Sequence, residues 1–309
     1  MTLRRVGFTA VPPGAKPGFD HADTYLDPAG SRLYVAHTGA DRVDVLDCRT
    51  GRYLRAISDL PGVAGVLVDT ARDLLFTSDR AAARVSIFRA SDERLLGRVG
   101  VGPRPNALAH DPERGLVFSF DLGEPAGTNC TASVVSVAER RLTATVPLPG
   151  RPRWAVFDQD TQAVYVNIAD PAQIAVIDTA ALTLRERIPV PAAGPHGLAI
   201  VRERGRTSLW CAADAGALVV IDRDSRAVLA TLPLPGTPDV IMYDRDVRRL
   251  YVAVGTPGTV SVFDIERRAE LETVVTEEGA RTIGWDPASR RLFVFQPKTC
   301  GVAIYAETA

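Results

Sequence analysis

The chain has 309 residues, 46% hydrophobic and 24% charged, with a net charge of −1. That balance suits a folded globular protein and supplies no global field toward nucleic acid or an anionic membrane. No apolar run follows Arg4 and Arg5, so neither a signal peptide nor a membrane span is readable, and a cytoplasmic setting is the expectation.

In chain order, residues 4–11 read like an outer β-strand that arrives before its own unit. A repeat then begins, marked by an acid followed seven residues later by an aromatic: Asp27 and Tyr34, Asp69 and Phe76, Asp111 and Phe118, Asp158 and Tyr165, Asp244 and Tyr251, Asp286 and Phe293. One copy is degenerate, with Val201 in the acid position and Trp210 after it. Neighbouring markers lie 42, 42, 47, 43, 43 and 42 residues apart. A period of about 40–45 residues with several short apolar runs per unit predicts a β-propeller.

Each unit supplies an inner strand ending near the acid, a turn such as Asp286-Pro-Ala-Ser289, a second strand such as Leu250-Tyr-Val-Ala253, and a third such as Val260-Ser-Val-Phe-Asp264. A fourth run such as Leu229-Ala-Thr-Leu-Pro-Leu234 carries a proline that suits an outer edge. The prediction is one all-β domain over 1–309, a seven-bladed propeller of four-stranded antiparallel blades starting near 19, 61, 102, 150, 192, 236 and 279. The last unit stops after its third strand, so residues 4–11 are expected to close the ring as the outer strand of blade seven. The recurrent aromatics are expected to wedge between blades.

Leu33-Tyr-Val-Ala-His37, Val43-Asp-Val-Leu-Asp47, Pro61-Gly-Val63 and Val164-Tyr-Val-Asn167 resemble the YVTN-type bacterial β-propeller repeat over about residues 19–305. The resemblance implies the propeller fold. Its more distant relatives imply lactonase-like or lyase chemistry, or none, because fold alone does not choose a function.

Inner strands of a propeller line its central channel, so a site should break the uniformity of the repeat there. The position five before each marker reads Ala22, Ala64, Asn106, Arg153, His196, Asp239 and Arg281, with His21, Asp23 and Trp154 alongside and Arg104 and Arg151 just upstream. His21, His196 and Asp239 are the candidate catalytic groups, since imidazoles and carboxylates move protons near neutral pH. Asn106, Arg153, Trp154, Arg281 and Asp23 are the candidate substrate-binding groups, with the arginines clamping an anion. His21, Asp23, His196 and Asp239 could together hold a divalent metal, the one candidate cofactor.

These residues predict a small, anionic ligand at the channel mouth, with lactone hydrolysis, elimination or cyclisation as the enzymatic options. The alternative is a non-catalytic scaffold for a protein or for single-stranded nucleic acid, the latter disfavoured by the charge balance. The long spacing around Asp121–Thr131 predicts an enlarged loop over the same face. Cys48, Cys130, Cys211 and Cys300 show no CxxC pairing, and Lys16 and Lys298 are the only lysines, which argues against Schiff-base chemistry.

Overall fold

A computed structural model of the chain describes residues 2–308 except Pro28 and Arg204; Met1 and Ala309 also lie outside the described residues. Seven four-stranded antiparallel sheets form the blades of a propeller. Six are built from consecutive strands running from the channel outward, as in blade 3: Pro105–Asp111, Leu116–Asp121, Thr131–Ser136 and Arg141–Pro147. The inner strands begin at Ala22, Val63, Pro105, Pro152, Pro195, Thr237 and Thr282, a few residues after each expected blade start. Among the described residues, no helix is long and apolar enough to cross a membrane.

Blade 7 is completed as expected, with a strand slightly longer than predicted. Thr2–Ala10 pairs antiparallel with Gly301–Thr308, from Thr2 opposite Thr308 to Ala10 opposite Gly301, with a bulge between Arg5 and Gly7. The marker acid closes the inner strand in blades 2, 3, 4, 6 and 7. In blade 1 the strand stops at Tyr25, two residues before Asp27.

The aromatics wedge between blades, and the reason is visible in their partners. Phe76 of blade 2 is fully buried among Leu108, Val117 and Val135 of blade 3. Tyr34 is likewise buried, and its hydroxyl donates to the Ala90 carbonyl of the next blade at 2.8 Å. Tyr251 donates to Glu307 of blade 7 at 2.9 Å. Middle strands are covered on both faces by neighbouring blades, which is why runs such as Leu33-Tyr-Val-Ala36 are continuously apolar. Replacing Tyr34 with Phe keeps the wedge and removes the hydroxyl's bond to Ala90 and its longer one to Glu93 at 3.2 Å, so a loss of about 1 kcal/mol in denaturant unfolding is expected. An unchanged midpoint would mean that the hydroxyl contributes nothing to holding blades 1 and 2 together.

Candidate functional site at the channel mouth

The inner strands deliver their polar residues by a shared device. In blades 3, 4, 5 and 6 a proline (Pro105, Pro152, Pro195, Pro238) is followed by Asn106, Arg153, His196 or Asp239, and the pairing register with the second strand slips at that point. A bulge bends the strand and re-aims the side chains it carries, here into the upper mouth of the channel. Close approach of blades 5 and 6 needs Gly197, because a Cβ there would lie 2.4 Å from the Asp239 carbonyl oxygen. The Asn167 amide, reaching over from blade 4, donates to the carbonyls of His196 (3.0 Å) and Gly197 (2.9 Å) and pins this segment.

His196 stands between two carboxylates. Nδ1 is 2.8 Å from Asp214 Oδ1 and Nε2 is 3.1 Å from Asp239 Oδ1. Burial alone would lower its pKa, but the Asp239 charge and the bonds to both carboxylates outweigh that and raise it to about 9. Asp239 is pushed up by its own burial, and the His196 charge and hydrogen bond, with Arg281 and His21, bring it down to about 2. The ring is therefore an imidazolium at neutral pH. Arg153 lies beside it, Nη1 3.4 Å from Nε2, and also reaches Asp214 at 3.5 Å. Arg281 Nε is 3.4 Å from Asp239 and its side chain is mostly exposed.

His21 is the contrasting imidazole. Burial lowers its pKa, against the pull of Asp20 and Asp239, so it is neutral at pH 7. Its Nε2 lies 3.5 Å from Asp20 Oδ1, and its ring packs on Trp154 with centroids 4.4 Å apart. Arg80 links Asp20, at 3.1 Å, to the side-chain oxygen of Asn106.

Around this set lies a cavity of about 180 Å³ lined by five arginines (Arg80, Arg104, Arg151, Arg153, Arg281) and two aspartates, Asp20 and Asp239. Arg104 and Arg151 are exposed and have no ion-pair partner among the described residues. Burial first, and then the like charges of Arg151 and Arg281, lower the pKa of Arg153 against the pull of Asp214 and Asp239.

Of the residues chosen from sequence, His21, Asn106, Arg153, Trp154, His196, Asp239 and Arg281 come together at the mouth. Asp23 does not. It lies deeper in the channel, where its oxygens accept the backbone N–H groups of Thr24 (2.8 Å) and Val68 (2.7 Å). The four-residue metal set therefore does not assemble. Asp23 is elsewhere, and His196 has a carboxylate on each nitrogen and no lone pair to offer. Among the described residues, no group of three or more His, Cys, Asp or Glu is placed to hold a metal ion.

The enlarged loop of blade 3 reaches the mouth only through Leu122, while its tip at residues 124–129 is exposed. Cys130 is buried, its Sγ 3.4 Å from the Leu122 carbonyl, and burial raises its pKa, so it is a poor nucleophile. His37 is fully buried against Asp44 (2.7 Å) and Phe19, and His110 is bonded to Asp69 (3.0 Å) and packed on Phe76. Both are structural histidines outside the mouth.

Sequence reasoning did not single out Asp20, Arg80 or Asp214. The last two occupy one repeat position, four residues after the aromatic, which reads Thr38, Arg80, Leu122, Ala169, Asp214, Gly255 and Pro297. Only two of these are charged, and both belong to the site.

These features define a seven-bladed β-propeller with a cation-rich channel mouth. No protein-family model and no curated protein sequence matches the chain. Among solved structures it is similar to a chain of Kuenenia stuttgartiensis hydrazine synthase, with a TM-score of 0.79 and 14% identity, covering 95% of this chain and 96% of that one. At that identity the likeness shows the fold alone. The resemblance to the YVTN-type repeat has no family match behind it.

Proposed function

We propose that this propeller binds a small organic anion at the upper mouth of its channel and acts on it by acid/base chemistry. The observation that carries the reading is the cationic excess at the mouth, five arginines and the His196 ring against Asp20, Asp239 and Asp214, with Arg104 and Arg151 left without an ion-pair partner among the described residues. Arg153 and Arg151 would grip a carboxylate or phosphate through charge-assisted bonds, and Trp154 would give the ligand a flat apolar wall.

His21 and His196 have environments that push their pKa values apart, the pattern that separates acid from base. Neutral His21 can accept a proton from the ligand. His196, with both N–H groups held by carboxylates, supplies fixed positive charge beside a developing oxyanion instead of a proton in transit. In an elimination the base would take the proton on the carbon beside the carboxylate as the β group leaves. In a lactone opening it would take the proton of the attacking water as the ring C–O bond breaks, with the cation beside the developing oxyanion in each.

The test is calorimetric titration with citrate and with inorganic phosphate. Saturable binding is expected, weakened by about tenfold in Arg153→Gln, which loses a charge-assisted contact. If neither anion binds, or if the variant binds them equally well, the mouth is a hydrated pore and the propeller is a scaffold.

A further inference from the structure

The packed rings of His21 and Trp154 belong to two cavities at once, the arginine-lined mouth above and a larger chamber below. The lower chamber has a volume of about 480 Å³, and its walls are largely apolar, lined by Val66, Val68, Leu108, Val156 and Met242 together with Trp154. No arginine or lysine among the described residues lines it.

Most polar groups on its wall are already engaged. Asp69 accepts from Arg72 and pairs with His110, Thr70 accepts the Leu26 N–H, and burial keeps both His21 and His110 below the ordinary histidine pKa. Asp23 is different. Each of its oxygens takes one backbone N–H, which leaves the carboxylate about half its accepting capacity, and no cation pairs with it among the described residues. The cost is visible in its pKa, which burial raises to about 6 against the two amides, with no positive charge to help.

We infer that the lower chamber is a second ligand site, for an organic cation whose ammonium group pairs with Asp23 and whose apolar body lies against Trp154 and the aliphatic wall. An ammonium supplies the charge and the donors the carboxylate lacks, and an aromatic face attracts a desolvated cation. The channel is then polarised end to end, taking an anion above the His21–Trp154 partition and a cation below it.

The test compares tryptamine with its neutral isostere tryptophol by calorimetry on the full chain, at about pH 7.5 where the amine and Asp23 are both charged. Tryptamine is expected to bind once per chain and tryptophol about tenfold more weakly, because only the amine neutralises the half-buried carboxylate. Asp23→Asn should make the two ligands equal. Val156→Trp, which fills the chamber from its wall, should abolish tryptamine binding and leave citrate binding at the mouth unchanged. Equal affinity for amine and alcohol in the unaltered chain, or no saturable tryptamine binding, overturns the assignment. That comparison decides the matter even if Asp23→Asn does not fold. Tryptamine binding that survives in folded Val156→Trp also overturns it, since the ligand must then sit elsewhere.

Discussion

Deleting residues 2–10 is expected to cost more than about 5 kcal/mol, comparable with the whole stability margin of an ordinary domain, and so to abolish the cooperative unfolding of the ring. The strand makes a full ladder with Gly301–Thr308, seats Leu3 in a core with Trp285 and Tyr305, and takes a bond from the Leu3 N–H to Glu272 of blade 6 at 2.7 Å. Without it the third strand of blade 7 becomes a bare edge, open to pairing with other chains. Circular dichroism melts with light scattering would show a broadened, aggregating transition. A truncated chain that melts sharply at the parental temperature would mean that the strand is only appended to a ring already closed.

The second large effect falls on Asp239→Asn. It removes one carboxylate from a largely buried pair and leaves Asn facing an imidazolium, a loss of about 3 kcal/mol at pH 6. Its pH dependence follows from the two shifts. Asp239 is depressed to about 2, so its contribution is complete above its unfolded pKa and is lost as pH falls through about 2. His196 is raised to about 9, so its contribution is complete below about 6.5 and is lost as pH rises through about 9. The parent chain should therefore lose stability between pH 6.5 and 9, and the variant should lose less over the same range. Urea titrations at both ends of that window check it. A variant deficit that stays constant with pH would mean that His196 is not held as a cation by Asp239.

Much of this could be read from the sequence, for physical reasons. A closed ring of blades forces each unit to repeat its acid turn and its interblade aromatic, so the period is stamped into the sequence. A site must depart from that repetition, which is why the ring position holding Asn106, Arg153, His196, Asp239 and Arg281 stood out. Depth along the channel was not legible. Asp23 stands two residues after His21, but two extended residues descend about 6–7 Å, enough to pass the Trp154 partition. Half of the lock on His196 was equally hidden: Asp239 holds the same ring position one blade on, but Asp214 comes from a loop 18 residues on. Such partners are set by ring geometry and have no local spacing.

Ring closure also orders assembly in time. Six blades are each made from one unbroken stretch and can zip as soon as that stretch exists. The seventh joins Thr2 to Thr308, at opposite ends of the propeller, and contacts at such long sequence separation form late. The strand that comes first in the propeller is thus the last one seated. While it waits, with Val6 and Phe8 on an exposed face, it can be taken up by the vacant last blade of a neighbouring molecule. Strand exchange of that kind, giving linked rings at high concentration, is the misassembly this architecture invites.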